Sequence, residues 1–332
     1  MPTISLCMIV KNEEKVLARC LDSLQGLVDE IIIVDTGSTD ATKEIAAAYT
    51  QKIYDYTWQG DFAAARNFSF SKAHMDYIYQ ADADEVLDDE NRRQFLLLKE
   101  HLLPEIEIVQ MHYKTITDGP NLYNYEMEYR PKLFKRLRTF TWIDPVHETV
   151  RLEPLVFDSD VIVEHRPQGN HGSRDIAVIE KAVQKEGVLS PKLHHMYTME
   201  LLHMGTKEEL FRSIPYMKQV QNLKVPEERA AVQEEMAREA ACVLARAYRL
   251  QKNDRDFFTQ CIKETAREEP CSEICYELGE YYMDCKEFDD AILWFYNAAY
   301  ETESIVDIHA GGDAALARLE ECREQRTAQT QT

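Results

Sequence analysis

Residues 3–40, TISLCMIVKNEEKVLARCLDSLQGLVDEIIIVDTGSTD, contain two apolar runs separated by an amphipathic segment. The runs at 3–10 and 29–35 are continuous and rich in β-branched side chains, which is typical of buried parallel strands. Between them, apolar side chains recur at the spacing of one helix face, at Leu17, Cys20, Leu21 and Leu24. Asn12 is a candidate N-cap for this helix. Strand, helix and strand joined by short loops predict a right-handed α/β unit.

The same alternation continues to residue 81. TGSTD at 36–40 is a turn that supplies caps for a helix, KIYDY at 52–56 is a short strand, and Asp61 is a candidate cap for the helix after it. YIYQA at 77–81 is then predicted as another buried strand. Ligands of such sheets bind beyond the carboxyl ends of the strands, so the sequence predicts a binding site at that edge.

Four carboxylates, Asp82, Asp84, Glu85 and Asp88, follow the last of these strands within seven residues. Carboxylates this close repel one another and raise one another's pKa. A bound divalent cation would relieve the conflict, because such cations prefer hard oxygen ligands. The alternative is a solvated acidic loop that binds nothing.

The composition argues against several classes of function. The chain has 332 residues and a net charge of −21, from 38 basic and 59 acidic side chains. This balance argues against binding to nucleic acid or to an anionic membrane surface. No apolar run approaches the length of a membrane span, the N-terminus lacks the basic region of a signal peptide, and the eight cysteines show no disulfide or zinc spacing. We therefore expect a cytoplasmic, two-domain protein with reduced thiols.

The phosphate-binding loops of other α/β proteins are missing from the sequence. No G-x-G-x-x-G follows a strand, and no G-x-x-x-x-G-K-[ST] occurs. This argues against a nicotinamide-dependent dehydrogenase and against a P-loop enzyme. A nucleoside diphosphate bound without a glycine-rich loop needs another positive charge, which a cation held by carboxylates supplies.

Residues 106–165 combine strand patterns with an aromatic and basic segment. Its cations are Arg130, Lys132, Lys135, Arg136 and Arg138. This cluster is a candidate for holding phosphate or an acidic acceptor.

The chain becomes helical from about residue 175. The tetratricopeptide pattern L-G-x-x-Y … A-x-x-x-F-x-x-A is met by Leu278, Gly279, Tyr282, Ala291, Phe295 and Ala298. About 34 residues earlier, one repeat length, the same residue classes recur at Leu244, Ala245 and Tyr248. Residues 197–211, broken at Gly205, are typical of a degenerate helix pair. The predicted domains are an α/β domain over residues 1–172, a repeat domain over 173–325 and a disordered tail over 326–332.

The motifs SLCMIVKNEEKVLARCLDSL, DEIIIVDTGSTDATKEIA, W-x-x-DFAAARN and YQADADEVL occur in this order. Together they resemble family 2 glycosyltransferases of the GT-A fold, a Rossmann-like nucleotide-sugar domain. VHE at 146–148 and the tetratricopeptide pattern make the chain similar to a soluble subgroup of that family. Some members of this subgroup glycosylate peptides, and others act on bacterial cell-surface glycans.

The resemblance implies a role for each matching residue. Asp35 would accept a hydrogen bond from uracil, Asp82 would contact ribose or metal, and Asp84 would bind the metal. His165 would reach metal or phosphate, and Glu148 would be the general base. The remaining residues implied in nucleotide-sugar binding are Val10, Lys11, Asn12, Arg66, Asn67, Ala83 and Arg130. Other interpretations stay open: Asp35 as a helix cap, a surface pair of Arg66 with Asp61 or Glu85, and a structural His165.

The resemblance implies a metal-dependent inverting glycosyltransferase that uses Mn²⁺ or Mg²⁺ and a UDP-sugar, with UDP-glucose as a candidate donor. The acceptor would be a peptide, a protein or a cell-surface glycan. Repeat units stack into a concave groove, which we expect to recognise a polypeptide acceptor; a homodimer through the helical domain is the other use. Two further classes remain open, a nucleotidyltransferase and a tetratricopeptide scaffold with an inactive nucleotide-sugar domain.

Overall fold

The computed structural model describes residues 1–116, 127–136, 142–143, 149–150, 155–166 and 172–330. The chain divides into two compact units, Met1–Asn170 and His171–Thr332. The first unit combines strands and helices, and the described residues of the second form helices with one isolated β-bridge. The predicted fold class, an α/β domain followed by an all-α domain, is confirmed.

The first unit contains ten strands and four α-helices within its described residues. The strands are β1 (Ile4–Val10), β2 (Glu30–Asp35), β3 (Ile53–Asp55), β4 (Tyr77–Gln80), β5 (Glu85–Val86), β6 (Ile108–Thr115), β7 (Met127–Lys135), β8 (Trp142–Ile143), β9 (Thr149–Val150) and β10 (Val156–His165). The helices are α1 (Leu17–Leu24), α2 (Thr42–Ala47), α3 (Phe62–Phe70) and α4 (Asp89–His101).

Eight of these strands form one sheet in the order β3-β2-β1-β4-β7-β6-β10-β5. Strands β1 to β4 run parallel to one another. Strand β7 is antiparallel to both of its neighbours, β4 and β6, and β10 runs parallel to β6. The carboxyl ends of β1, β2, β4, β6 and β10 therefore lie at the same edge of the sheet.

The sheet is buried on both faces, because its side chains alternate between two apolar clusters. On one face Leu6 and Met8 pack with Leu21 of α1 and Phe95 of α4. On the other face Cys7 packs with Ala63 of α3. This burial explains why β1 and β2 are continuous apolar runs rather than alternating ones.

Two loop predictions have different outcomes. Asp61 caps α3 as expected, because its side chain accepts a hydrogen bond from the Ala64 N–H at 2.9 Å. The predicted N-cap Asn12 is wrong, because α1 begins only at Leu17 and its cap position makes no side-chain hydrogen bond. Asn12 instead adopts a left-handed backbone conformation with φ of 57°, which asparagine tolerates better than most residues.

The second unit contains eight α-helices within its described residues. They are α5 (Gly172–Glu186), α6 (Pro191–His203), α7 (Lys207–Gln221), α8 (Ala230–Leu250), α9 (Asp254–Thr265), α10 (Ser272–Asp284), α11 (Phe288–Tyr296) and α12 (Asp313–Thr330). The break predicted at Gly205 separates α6 from α7, and the two sets of repeat residues begin on α8 and α10.

Gly279 of α10 shows why this repeat unit has glycine where the earlier unit has Ala245. A Cβ atom at this position would lie 2.7 Å from the Phe295 ring of α11. That is closer than real carbon contacts allow, so the absence of a side chain lets α10 and α11 pack together.

The disordered tail predicted over 326–332 is wrong for its described part, because α12 continues to Thr330. The segment contains no glycine or proline to end the helix, and Arg326 contacts Asp289 of the neighbouring α11 at 2.8 Å. Helical continuation with a partner helix nearby outweighs the polar composition.

Candidate functional site

Asp35 ends β2 at the carboxyl edge of the sheet and is buried. Its Oδ1 atom accepts hydrogen bonds from the N–H groups of Gly37 and Ser38, both at 3.0 Å. Its Oδ2 atom is buried and has no hydrogen-bond partner. A buried carboxylate oxygen without a partner is costly, so this atom is available for a donor on a ligand. The helix-cap interpretation does not account for it.

Asn12 connects the loop after β1 to the loop after β2. Its N–H donates to the Ser38 hydroxyl at 2.9 Å, and its Oδ1 atom accepts from the Thr39 N–H at 2.8 Å. The Val10 carbonyl accepts from the Thr36 N–H at 2.9 Å. These contacts hold the two loops together beside Asp35, and Lys11 between them is exposed.

Arg66 of α3 and Asp82 form an ion pair, with Nη2 2.9 Å from Oδ1. The same Oδ1 atom accepts from the Gln80 side-chain amide at 3.1 Å. Burial alone would raise the pKa of Asp82, but the charges of Arg66 and Lys132 outweigh it and hold the pKa below its ordinary value. Arg66 thus pairs with Asp82 and not with Asp61 or Glu85, the partners of the alternative interpretation.

His165 ends β10 and meets Asp84 at the same edge of the sheet. Its Nε2 atom lies 3.1 Å from Asp84 Oδ2, and its Nδ1 atom lies 3.3 Å from the Thr115 hydroxyl. The imidazole also stacks on the Tyr113 ring, with centroids 5.3 Å apart. The exposed fractions of the His165 and Asp84 side chains are 14% and 16%, so a small ligand can still reach both.

Glu85 and Lys132 form an ion pair directly beneath this edge, with Lys132 Nζ 2.5 Å from Glu85 Oε1. Both side chains are almost fully buried. Burial raises the pKa of Glu85, although Lys132 opposes the shift. The repulsion among the four carboxylates is thus partly relieved within the protein, because Arg66 neutralises Asp82 and Lys132 neutralises Glu85.

Comparison with known protein families identifies the family of the segment that contains Asp35, Arg66, Asp82 and Asp84. The sequence model for glycosyl transferase family 2 matches residues 5–151. This segment is a glycosyl transferase family 2 domain. The predicted family is confirmed, and the observed arrangement of β1, β2 and β4 agrees with its GT-A fold.

Several bacterial proteins match part of this chain. A TPR repeat-containing protein of Synechococcus elongatus is 47% identical over 87 residues, which are 26% of this chain and 22% of the relative. The SPbeta prophage-derived glycosyltransferase SunS of Bacillus subtilis is 37% identical over 94 residues, 27% of this chain and 22% of SunS. The matched region thus spans about a fifth of each relative's length.

Among solved structures, the chain is similar to glucosyl-3-phosphoglycerate synthase from Mycobacterium tuberculosis, crystallised with Mn²⁺, UDP and phosphoglyceric acid. The two chains are 20% identical, the alignment covers 57% of this chain and 80% of the other, and the TM-score is 0.40.

The remaining predicted residues of the glycosyl transferase domain are placed as follows. The Arg130 guanidinium stacks 3.8 Å from the centre of the Tyr113 ring and bonds to Glu128 at 2.6 Å. Asn67 follows Arg66 on α3, and Ala83 is buried in the core, so only its backbone can face a ligand. Glu148 lies outside the described residues, and its role as general base stays a prediction.

Among the described residues, the predicted basic cluster does not form one patch, and its member Arg138 lies outside those residues. Lys132 is buried against Glu85, Lys135 bonds to the Pro104 carbonyl, and Arg136 bonds to the Met75 carbonyl. Sequence alone missed these internal partners. The signal that could have found Lys132 is its place beside Leu133 and Phe134 in a strand pattern, because a cation on a buried strand requires a counter-charge.

No preformed set of three metal ligands lies at this edge among the residues that the structure describes. Asp84 and His165 are together, but the Asp82 carboxylate is held by Arg66 and Gln80. In the described part of the chain, three potential ligand atoms within 4.8 Å of one another occur in the helical unit, at the buried residues Cys242, Cys271 and Glu273. The candidate metal site predicted at the sheet edge would therefore have two protein ligands, Asp84 and His165.

Proposed function

We propose that the protein is a metal-dependent inverting glycosyltransferase that moves a sugar from a UDP-sugar to a peptide, protein or cell-surface glycan acceptor. The observation that carries this proposal is the shared edge where the unpartnered Asp35 oxygen and the Asp84–His165 pair both lie. The family of residues 5–151 supports sugar transfer as the reaction class. UDP-glucose is the first donor to test.

The nucleoside part of the donor would bind at the loops after β1 and β2. Asp35 Oδ2 is an acceptor that fits the N–H of a uracil ring, and its partner atom Oδ1 is already fixed by two backbone donors. Val10, Lys11 and Asn12 would line base and ribose beside it. Asp82, Ala83, Asn67 and Arg130 would extend the donor site, with Arg66 as the cation nearest the nucleotide.

The Asp84–His165 pair fits a divalent cation. Asp84 Oδ2 and His165 Nε2 lie 3.1 Å apart, and this carboxylate oxygen and this imidazole nitrogen would together hold such a cation. Thr115 holds the other imidazole nitrogen at 3.3 Å, which orients the ring. When bound, Mn²⁺ or Mg²⁺ would stabilise the charge of the leaving diphosphate.

Inversion at the anomeric carbon requires a base that removes the acceptor proton as the new bond forms. Glu148 is the proposed base, since the VHE motif contains a carboxylate within the matched family segment.

The acceptor is proposed to bind through the helical unit, with homodimer formation as the other use of that unit. No helix among the described residues is long and apolar enough to cross a bilayer, and a cytoplasmic location is part of the proposal.

The test of the donor site is the linkage between UDP and metal. UDP should raise the melting temperature more with Mn²⁺ than with a chelator, because each ligand binds better when the other is present. Asp84→Asn should remove this linkage and leave the melting temperature without ligand almost unchanged. Asp89→Asn, an exposed carboxylate on α4, is the matched control. If metal makes no difference to UDP binding by the parent protein, the acidic loop is only a solvated surface.

The test of catalysis is the variant Glu148→Gln, which keeps the size of the side chain and loses the proton acceptor. Turnover of the UDP-sugar should fall by about 10²-fold or more, and UDP affinity should stay as in the parent. An equal loss of affinity would place Glu148 in the donor site. Binding of UDP without any turnover by the parent would favour the inactive scaffold, and transfer of a nucleotidyl group would identify a nucleotidyltransferase.

The test of the acceptor proposal is a chain that ends at Asn170, the last residue of the first unit. It should hydrolyse the UDP-sugar slowly and lose transfer to the acceptor. Transfer at the full rate would exclude a role of the helical unit in acceptor binding.

A further inference from the structure

A continuous polar chain runs beneath the acidic loop. Glu85 bonds to Lys132 at 2.5 Å, and Lys132 donates to the Gln80 side-chain oxygen at 3.4 Å. The Gln80 nitrogen donates to Asp82 at 3.1 Å, and Asp82 pairs with Arg66 at 2.9 Å. Acidic and basic groups alternate along this chain, with one neutral amide in its middle.

The amide in the middle makes the chain directional. A glutamine side chain has an acceptor oxygen at one end and a donor nitrogen at the other. Because the Lys132 ammonium can only donate, it fixes the Gln80 oxygen on its own side. The nitrogen is then directed towards the Asp82 carboxylate, which can only accept. A rotated amide would place two acceptors against each other.

The position of Lys132 makes this constraint strong. It lies on β7, which pairs antiparallel with β4 so that Leu133 faces Tyr79 in register, one residue before Gln80. Only 3% of the Lys132 side chain is exposed, so water does not compete for its protons. A buried ion pair seldom stabilises a fold more than apolar side chains of the same volume, and its presence here favours a further role.

We propose that Lys132 is a positioning residue of the donor site, which orients the Asp82 carboxylate through the Gln80 amide. The proposal rests on the proposed function, because Asp82 matters here only if a nucleotide binds beside it. Lys132 itself touches neither donor nor metal. Its effect is that Asp82 and Arg66 are already in the binding arrangement before UDP arrives, so that binding requires less reordering.

The alternative is that Lys132 only compensates the charge of Glu85. The double variant Lys132→Met/Glu85→Leu separates the two roles, because it removes both buried charges at similar volume and also removes the contact with Gln80. The variant Gln80→Met tests the same path without any change of charge, and it remains informative if the double variant does not fold. The triple variant combines both.

The experiment is calorimetric titration with UDP in the presence of Mn²⁺, together with thermal unfolding of each variant. The double variant should unfold close to the parent and bind UDP about tenfold more weakly, the loss expected for one misdirected hydrogen bond. Gln80→Met should show a similar loss. The triple variant should lose no more than either, because residues on one path are not additive.

Two results would overturn the proposal. The first is a UDP affinity equal to that of the parent in the double variant or in Gln80→Met. The second is a loss of affinity in the triple variant that equals the product of the separate losses. Either result would leave Lys132 as only a counter-ion of Glu85. A parent protein that does not bind UDP contradicts the proposed function instead, so the two failures are distinguishable.

Discussion

The Arg66 guanidinium lies 2.9 Å from the Asp82 carboxylate, with 9% of the arginine side chain and 35% of the aspartate side chain exposed. The aspartate is thus the open member of the pair, and the arginine supports it from inside. A nucleotide that approaches this edge meets a carboxylate whose charge is already compensated. For that reason an acidic loop can lie beside a proposed diphosphate site without repelling it.

This relationship predicts the effect of Arg66→Lys. The charge is kept, but the planar fork that directs the guanidinium is lost. We expect UDP affinity in Mn²⁺ to fall about tenfold and the melting temperature without ligand to change little. Calorimetric titration measures the first and thermal unfolding the second. The control is Arg93→Lys on the exposed surface of α4, and an unchanged UDP affinity in Arg66→Lys would remove Arg66 from the donor site.

Asp35→Asn should lose affinity for UDP and keep the fold. The amide retains one oxygen for the Gly37 and Ser38 N–H groups. Its nitrogen takes the place of the unpartnered Oδ2, so an amide N–H would face the N–H group of the base. We expect UDP affinity about 10- to 100-fold lower, since one hydrogen bond becomes a repulsive contact. Direct titration with UDP checks this. Equal affinity in variant and parent would return Asp35 to a purely structural role in its turn.

The contacts of Glu30 predict a pH dependence of the free energy of unfolding that does not involve the donor site. Burial alone would raise its pKa, but hydrogen bonds from Lys52, Ser5 and His74 lower the pKa to about 2. A lowered folded-state pKa contributes stability above the ordinary value, and this contribution is lost as the pH falls towards 2. Glu30→Gln should lower the free energy of unfolding at pH 7 by about 1.5–3 kcal/mol.

The difference between parent and Glu30→Gln should then shrink as the pH is lowered from about 4.5 towards about 2. Urea unfolding at several pH values measures it. Glu44→Gln on the exposed side of α2 is the matched control and should show almost no difference at any pH. A gap for Glu30→Gln that stays constant with pH would contradict the assignment.

Gly279→Ala should destabilise the helical unit, because the added Cβ would lie 2.7 Å from the Phe295 ring. Overpacking of this kind costs about 1–3 kcal/mol. Amide hydrogen exchange should accelerate on α10 and α11 and stay unchanged on β1. Phe295→Leu in the same chain should recover part of the loss, since it makes room for the methyl group. If exchange on β1 accelerates equally, the effect is not confined to this contact.

The sequence predicted those parts of the molecule that depend on local pattern. Strands β1, β2 and β4 are apolar runs; Asp35 ends β2 and Asp84 lies four residues after β4, so their place at one edge follows from parallel pairing. Lys132 could not be placed in this way, because its contact with Gln80 depends on β7 entering the sheet antiparallel beside β4. The sequence of a strand contains little information about which distant strand it pairs with.

The wrong prediction at Asn12 has a different cause. Asparagine favours helix caps and left-handed turns for the same reason, a short polar side chain that bonds to nearby backbone. The sequence shows that such a residue follows β1, but the choice between the two depends on the Ser38 and Thr39 groups of another loop.

The contact between Asp84 and His165 joins residues that are 81 positions apart in the chain. During synthesis at about 5–20 residues per second, the acidic loop therefore exists for roughly 4–16 s before its histidine has been made. The Lys132 ammonium is made earlier in that interval. The counter-ion of Glu85 thus becomes available before the Asp84–His165 pair can form, and the proposed metal site predicts that tight metal binding appears only once β10 has joined the sheet.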